Sequence, residues 1–434
     1  MLKAIKTEAS LTRESNKMTL FDDIFSSYNL RMAWEHVRKN KGSAGCDGIT
    51  IDGYPYWAKA HWTGIKRGLY AGIYCPQPVR RVEILKPNGG IRLLGIPCVN
   101  DRVIQQAIAQ QLNWFIDPTF SEHSYGFRPM RSAHQAIKAV QAQIKAKRRY
   151  AVDIDLSKFF DEVDHDILMH RLSQRIKDKQ VLALIGKILR AGVSIHGEIE
   201  ATPRGVPQGS PLSPLLANIM LDDLDQFLEK KNYPFARYAD DFVISVKTLK
   251  EGQRIMQEVT IFLKTLKLPI NEEKSQIVRT SELTFLGYSF RGRFLLWSQK
   301  SLKNFQYRIR QLTNRSWSVS WEYRYRKLRE YLTGWMNYFS LSIYDPVLQL
   351  DYWIRRRIRA CYLKQWRKPR TKIRHLIRLG VPLKLAISIG VSSKKYYRLA
   401  KTKAMQMGLT KQWLKAQGLV SLRDQWIKCR YPNG

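Results

Sequence analysis

Residues 235–246 read Phe-Ala-Arg-Tyr-Ala-Asp-Asp-Phe-Val-Ile-Ser-Val, an apolar run interrupted near its centre by two adjacent carboxylates. This pattern predicts two strands joined by a tight turn, with Asp240 and Asp241 at the tip of the hairpin. A second β-type run, residues 150–156, carries Asp155. Because adjacent carboxylates repel each other unless cations neutralise them, the three acids predict an oxygen-ligand site for two divalent metal ions. An ordinary Asp-Asp turn is the alternative that the pattern alone leaves open.

The sequence around these acids alternates helical and strand-like segments up to about residue 290, which predicts an α+β fold. Residues 29–40 have the period of an amphipathic helix. The runs 79–85 and 91–96 flank a Lys-Pro-Asn-Gly-Gly turn and predict a β-hairpin. From residue 301 the chain is helical, basic and rich in Trp and Tyr, and a last basic segment follows Pro369.

The positive charge is large and unevenly distributed. The net charge is +38, and residues 291–434 contribute +28 of it, with 33 Lys/Arg against 5 Asp/Glu. Such a charge destabilises a compact protein unless a polyanion neutralises it, which indicates a nucleic-acid partner. We expect no membrane partner, because no stretch approaches the roughly 18 apolar residues of a spanning helix. The N-terminus lacks the apolar core of a signal peptide, so we expect a cytoplasmic, nucleoid-associated protein.

Four stretches occur in the order and spacing of reverse-transcriptase motifs: Asp155-Leu-Ser-Lys-Phe-Phe160, Gly205-Val-Pro-Gln-Gly-Ser-Pro-Leu-Ser-Pro214, Tyr238-Ala-Asp-Asp241 and Phe285-Leu-Gly-Tyr288. Residues 29–47, 80–97, 124–135 and 334–339 extend the resemblance to the reverse transcriptases encoded by bacterial group II introns. The resemblance runs from about residue 20 to the C-terminus.

This resemblance implies a right-hand polymerase, with fingers and palm built on an antiparallel sheet, then an α-helical thumb or maturase domain and a small basic C-terminal helical domain. The expected divisions are an N-terminal extension with the start of the fingers (1–75), fingers and palm (76–290), thumb (291–368) and a basic DNA-binding segment (369–434).

The resemblance also assigns roles in catalysis. It implies that Asp155, Asp240 and Asp241 are catalytic and that they hold two Mg²⁺ ions together with Leu156. Phe160 matches the ring beneath the incoming sugar, where an aromatic side chain would collide with a ribose 2′-hydroxyl and so select dNTP substrates. A core position is the alternative for Phe160.

Further residues are expected to contact the incoming nucleotide. Lys86 and Arg92 flank the Pro-Asn-Gly-Gly turn and are expected to reach the triphosphate, which suits one ammonium and one guanidinium group. Gln208 is expected near the sugar and template. Lys274 is a candidate proton donor to the leaving pyrophosphate, or a solvated lysine.

The candidate RNA contacts are spread over the chain. Gly45 lies in a glycine-rich loop that resembles a clamp on the template backbone. Arg128 and Arg131 are candidates for template contact, with structural salt bridging as the open alternative. Three consecutive arginines, Arg355, Arg356 and Arg357, are candidates for binding structured RNA among the aromatic side chains of the thumb.

The function implied is an RNA-directed DNA polymerase that also binds its intron RNA as a splicing maturase and supports intron mobility by reverse splicing and target-primed reverse transcription. Its partners would be group II intron RNA, template RNA and target DNA. The alternatives are a splicing-only RNA-binding maturase and a domesticated reverse transcriptase serving phage defence or CRISPR adaptation. Because no Cys-bearing H-N-H cluster follows the basic segment, we expect no second-strand cleavage by this chain. The sequence does not indicate an oligomeric state.

Overall fold

The computed structural model describes residues 19–85, 90–195 and 197–432. They divide into two compact units, the first ending at Arg279 and the second beginning at Thr280. The palm boundary expected near residue 290 therefore falls inside unit 2, and both the 291–368 and 369–434 segments belong to that unit. Lys86 lies outside the described residues.

The helices of unit 1 follow one another along the chain as α1 (Leu20–Ile24), α2 (Ser27–Lys39), α3 (Tyr54–Tyr70), α4 (Val99–Ile116), α5 (Ala133–Lys145), α6 (Phe159–Glu162), α7 (His165–Arg175), α8 (Lys179–Leu189), α9 (Ser213–Lys230) and α10 (Leu249–Thr265). Local sequence explains where several of them begin. The Ser26 hydroxyl accepts from the amide of Asn29 at the start of α2. Ser132 and Gln135 form a reciprocal capping box at the start of α5.

The strands of unit 1 are β1 (Val79–Leu85), β2 (Ile91–Ile96), β3 (Tyr150–Ile154), β4 (Val193–Ile195), β5 (Glu198–Glu200), β6 (Phe235–Tyr238), β7 (Asp241–Val246) and β8 (Gln276–Arg279). They form two four-stranded sheets, ordered β2-β1-β4-β5 and β6-β7-β3-β8. The second sheet is antiparallel throughout, with β3 between β7 and β8. The predicted hairpins at 79–96 and around 240 are both confirmed.

One hydrophobic core joins the β3 sheet to the helices of unit 1. Helix α9 supplies much of it, because the side chains of Leu216, Ile219, Leu221, Leu224 and Leu228 are buried. Burial of such a continuous apolar surface is the main favourable contribution to folding. The central strand β3 therefore has a rigid support, and the residues at its end are held in fixed positions.

Unit 2 contains a small antiparallel sheet followed by helices. The sheet is three-stranded, with Tyr288–Arg291 between Thr284–Phe285 and Phe294–Trp297. Its strands and the helices that follow are β9 (Thr284–Phe285), β10 (Tyr288–Arg291), β11 (Phe294–Trp297), α11 (Gln299–Leu312), α12 (Trp321–Phe339), α13 (Tyr344–Gln365), α14 (Pro369–Arg378), α15 (Leu383–Gly390), α16 (Tyr396–Leu399), α17 (Lys403–Gly408), α18 (Lys411–Ala416) and α19 (Leu422–Arg430). The predicted α+β class with a helical C-terminal region is confirmed.

The basic segment 369–434 shares one hydrophobic core with the helices of 291–368. Polar contacts add to this packing: Asp351 accepts from the Leu422 amide at 2.8 Å, and the Trp426 indole donates to the Ser342 carbonyl at 2.9 Å. Deleting the segment would therefore uncover apolar surface of unit 2. Within the part of the chain that the structure describes, no helix has both the length and the apolar character needed to cross a membrane.

Candidate active site

The three predicted acids meet at one end of the β3 sheet. In the hairpin, Tyr238 pairs with Asp241, so that Ala239 and Asp240 form a two-residue turn. Strand β3 ends with Ile154 opposite Phe242. Continuing this register by one residue places Asp155 opposite Asp241. The antiparallel pairing thus brings together carboxylates that are far apart in sequence.

At this end of the sheet, several carboxylates lie close together and repel one another. Burial raises the pKa of Asp241 to about 6, and repulsion from Asp240 and Asp155 adds to the effect, although the Asp241 side chain remains accessible to solvent. Burial also raises the pKa of Asp240, again with a contribution from Asp155. Asp153, two residues before Asp155 on the same face of β3, has its pKa raised to about 6 by burial and by the Asp155 charge. A fourth carboxylate that sequence reasoning did not single out therefore adds to the negative potential.

The backbone that carries Asp155 is fixed by the segment before β8. The Asp155 carbonyl accepts from the Asn271 amide at 2.8 Å, and the Ser275 hydroxyl accepts from the Asp155 amide at 3.1 Å. Ser157 donates its amide to the Pro269 carbonyl at 2.8 Å. Lys274 lies on the same segment, and its ammonium is 3.3 Å from Asp155 Oδ2. In this structure Lys274 therefore pairs with a candidate metal ligand.

A buried arginine supports the turn that carries Asp240. Arg237 and Asp225 are both completely buried, with Nε to Oδ1 at 2.7 Å and Nη2 to Oδ2 at 2.5 Å. The remaining nitrogen, Nη1, donates to Asn218 Oδ1 and to the Ala239 carbonyl, each at 3.0 Å. Ala239 has φ of +58°, a left-handed conformation that is unfavourable for a residue with a side chain. The Arg237 guanidinium thus stabilises the strained turn through a hydrogen bond to a carbonyl group within that turn.

The same turn is packed against backbone from the segment before α5. A Cβ atom at Gly126 would lie 2.2 Å from the Ala239 nitrogen, so only glycine fits there. Asn218 donates to the Gly126 carbonyl at 2.9 Å and so joins this contact to Arg237. Sequence reasoning missed this network, although one signal was present: a charged residue at an inward-facing position of an otherwise apolar strand needs a buried partner.

Three of the candidate nucleotide residues lie on segments that backbone hydrogen bonds join to one another. The Phe160 carbonyl accepts from the Val206 amide at 2.6 Å, which joins the Asp155 motif to the Gly205 motif. The Phe160 ring is half-buried and packs edge-on against Phe159. The Gln208 carbonyl accepts from the Gly95 amide at 2.9 Å, which ties the Pro-Gln-Gly loop to β2. Arg92 is exposed on β2 and lowers the pKa of Asp240, opposing the larger effect of burial.

Comparison with protein families identifies two adjacent modules in the chain. A family model described as reverse transcriptase (RNA-dependent DNA polymerase) matches residues 84–290. A second model, the maturase-specific domain of group II introns, matches residues 302–380. Protein YkfC of Escherichia coli is 36% identical over 260 residues, which cover 51% of this chain and 68% of YkfC. The chain belongs to the group II intron-encoded reverse transcriptase family.

A second relative agrees with this membership. The group II intron-encoded protein LtrA of Lactococcus lactis is 32% identical over 363 residues, covering 66% of this chain and 60% of LtrA. Among solved structures, a chain of a partial Cas6-RT-Cas1–Cas2 complex is 27% identical, with a TM-score of 0.38 over 59% of this chain and 43% of that one. The chain thus spans 68% of the length of YkfC and 60% of the length of LtrA.

As a reverse transcriptase domain, residues 84–290 form a polymerase module that depends on a divalent metal. The donor set fits such an ion: burial and neighbouring carboxylates raise the pKa values of Asp240 and Asp241, a bound cation would offset that repulsion, and oxygen ligands are those that Mg²⁺ prefers. Leu156 is buried, and it can contribute only its backbone carbonyl. Across the described ranges, no group of three or more His, Cys, Asp or Glu side chains converges closely enough to hold a metal alone.

Two of the reverse transcriptase's candidate template residues lie on the segment that precedes α5. Arg128 is buried and forms an ion pair with Asp117 at 2.8 Å. Its other nitrogens donate to the carbonyls of Ser121, Ser124 and Asp117, which favours the structural alternative for this residue. Arg131 is half-buried and pairs with Glu122, an exposed side chain that RNA can displace more easily.

The glycine-rich loop is braced by protein contacts. Gly45 is buried, and a Cβ there would lie 2.5 Å from the Cys98 Cα. Arg80 donates to the Ala44 carbonyl at 3.1 Å, and Arg102 donates to the carbonyl of Ser43. Glycine at position 45 is thus required by close packing, and any contact with a template backbone would come from the exposed residues beside it.

The three consecutive arginines of α13 have different surroundings. Arg355 is buried and paired with Asp351, which also caps α19. Arg356 donates to the Tyr397 carbonyl at 3.1 Å and stacks over that ring at 3.8 Å. Arg357 donates to Thr313 Oγ1 at 2.5 Å and is half-buried. All three contribute to packing in unit 2, and Arg355 has the least access to an RNA partner.

Proposed function

We propose that this protein is an RNA-directed DNA polymerase using two Mg²⁺ ions and dNTP substrates, and that it also binds its intron RNA as a splicing maturase and supports intron mobility. One observation carries the proposal: Asp155, Asp240 and Asp241 meet at the end of one antiparallel sheet, in a chain that continues into a maturase-specific domain. The wider activity includes reverse splicing and target-primed reverse transcription.

In this mechanism the three aspartates would hold the ions, whose chemistry would be to activate a primer 3′-hydroxyl and to neutralise the charge of the triphosphate. The residues around them orient the nucleotide. Arg92, exposed at the end of the fingers hairpin, binds phosphate oxygens, with Lys86 as its expected partner. Gln208 lies in a loop fixed to β2 and would position the sugar and template. Lys274, which here pairs with Asp155, would be the proton donor to the leaving pyrophosphate.

The proposed partners are group II intron RNA, template RNA and target DNA, in the bacterial cytoplasm at the nucleoid. The maturase-specific domain supports RNA binding. The charge supports it too, since residues 291–434 carry +28. The test is a splicing assay with the group II ribozyme that flanks the coding sequence. Protein-dependent splicing at low Mg²⁺ supports the proposal, and absence of any such ribozyme from the flanking sequence would count against the maturase role.

Phe160→Val is expected to increase incorporation of NTP relative to dNTP. The half-buried ring lies five residues after Asp155 and is held by the contact between the two motifs, so its removal opens space for a 2′-hydroxyl. Steady-state kcat/KM values for dCTP and CTP on one RNA template measure the ratio. Phe159→Leu is the control, because Phe159 is a core neighbour. An unchanged ratio in Phe160→Val would show that Phe160 only packs.

Neutralising exposed cations of the C-terminal segment is expected to weaken duplex DNA binding. We choose Lys394→Gln, Lys395→Gln and Arg398→Gln together, since these side chains are exposed and their replacement leaves the shared core intact. Each lost phosphate contact reduces the slope of log affinity against log salt by about 0.9. A matched triple variant in unit 1, with Lys59, Lys250 and Lys264 changed to Gln, controls for net charge. Equal slopes in the two triple variants would contradict a DNA-binding role for 369–434.

A further inference from the structure

Unit 2 contains a cleft whose lining residues have no role in the proposed polymerase chemistry. It has a volume of about 790 Å³ and lies between the end of α11 and the first half of α12. Its walls include Arg308 and Leu312 from α11, Trp317 from the connecting loop, and Tyr323 and Tyr331 from α12. A cleft of this size and composition is comparable with sites that bind small aromatic groups.

The loop wall of the cleft is built around a buried arginine. Arg324 is 4% exposed and donates to the carbonyls of Leu312 and Asn314 at 3.0 Å and to that of Trp317 at 2.9 Å. Its guanidinium also lies 5.1 Å from the centre of the Trp317 ring. Because one buried cation donates to the carbonyls of Leu312, at the end of α11, and of Asn314 and Trp317 in the loop, the Trp317 backbone is held in place before any ligand arrives.

The side chains at the cleft combine aromatic rings with positive charge. Trp317 and Tyr323 are both half-buried, with their ring centres 5.9 Å apart in an edge-to-face arrangement. Two cations lie over the Tyr323 ring, Arg326 at 5.1 Å and Lys327 at 5.8 Å. Arg308 adds an exposed charge on the opposite wall. The acid at the cleft, Glu330, is paired with Lys327 at 2.8 Å.

Rings that stack and cations that bind phosphate are the two requirements for holding one unpaired nucleotide. A fully paired helix cannot present a base face to Trp317 or Tyr323, because its bases are stacked on one another. We propose that this cleft binds a single unpaired base of structured RNA, with Trp317 stacking on the face of the base, Tyr323 contacting its edge, and Arg308 and Arg326 contacting the flanking phosphates. The inference rests on the proposed RNA binding and names its site in the maturase domain.

The test uses two RNA hairpins that differ only by a single bulged 2-aminopurine. The full-length protein should bind the bulged hairpin more tightly than the paired one and should quench the 2-aminopurine fluorescence by stacking. Tyr323→Ala and Trp317→Ala should each weaken binding of the bulged hairpin about 5- to 100-fold and leave the paired hairpin nearly unchanged. Trp317→Phe keeps an aromatic ring and should retain most of the preference. Tyr307→Ala removes an exposed ring of α11 that does not line the cleft, and it is the matched control.

The outcomes separate this inference from the proposed function. If the wild-type protein binds both hairpins equally, or if the folded alanine variants keep the full preference, the base site is overturned while RNA binding stands. Equally weakened binding of both hairpins by the variants would also overturn it, because that result would mean that the cleft contacts the RNA backbone and not a base. Failure of the wild-type protein to bind either hairpin would count against both this site and the proposed RNA binding. Thermal unfolding of each variant shows whether its fold is intact.

Discussion

Asp155→Asn and Asp240→Asn are each expected to abolish DNA synthesis. Each substitution removes a carboxylate from the end of the β3 sheet while preserving side-chain shape, so the metal ions lose a charged ligand. Loss of a bound metal commonly costs several kcal/mol of transition-state stabilisation, which corresponds to a rate lower by about a hundred- to a thousandfold. Primer extension on an RNA template in Mg²⁺ measures the rate.

Binding and stability controls distinguish this loss from misfolding. RNA affinity should be nearly unchanged, since the candidate RNA contacts lie on other elements. The thermal unfolding midpoint in EDTA should equal or exceed that of the wild-type protein, because each variant relieves repulsion within the cluster that includes Asp153 and Asp241. Extension at more than about a tenth of the wild-type rate by either variant would contradict the assignment of the metal ligands.

Arg237→Met is expected to destabilise unit 1 more than any other single change discussed above. It leaves the completely buried Asp225 without its cation, and it leaves the Ala239 carbonyl and Asn218 Oδ1 without a donor. Breaking a buried ion pair by removing one partner costs about 3–5 kcal/mol. The strained turn that carries Asp240 also loses the hydrogen bond from Arg237, so polymerase activity should fall in the protein that remains folded. Thermal unfolding and primer extension at a permissive temperature measure the two effects.

Two comparisons test the cause of that loss. Arg171→Met removes the partner of Asp223, also on α9, but both of those side chains are partly exposed, so the cost should be below about 1 kcal/mol. The double variant Arg237→Met with Asp225→Leu replaces the pair by apolar groups and should recover much of the stability. It should recover less of the activity, because the Ala239 carbonyl still lacks its donor. Full recovery of both would show that Arg237 stabilises the fold without positioning the turn.

The parts of the structure that the sequence predicts are those determined by neighbouring residues. Two apolar runs around a Pro-Asn-Gly-Gly turn predict the hairpin at 79–96, and its strands occupy the predicted residues. The hairpin around Asp240 is likewise predicted by an apolar run with a short polar break near its centre. The reverse-transcriptase resemblance then identified the chain's family, because four separate motifs had to agree in order and spacing.

The sequence does not predict contacts between segments that are distant along the chain. The Arg237 network needs Gly126 and Asn218 to reach the same turn, and nothing local to any one of them specifies the others. Arg128 illustrates the same limit, since a conspicuous arginine in a motif is equally consistent with RNA contact and with four protein acceptors. The shared core of unit 2 was also not predicted, because the apolar residues of 369–434 that contribute to it are interspersed among many basic ones.

The most direct test of the account is DNA synthesis by the purified wild-type protein on an RNA template with an annealed primer. We expect extension with dNTPs in Mg²⁺, none in EDTA, and none by Asp240→Asn in the same preparation. A folded wild-type protein that binds the primed template but adds no nucleotide in Mg²⁺ would contradict the claim that Asp155, Asp240 and Asp241 form a working polymerase site.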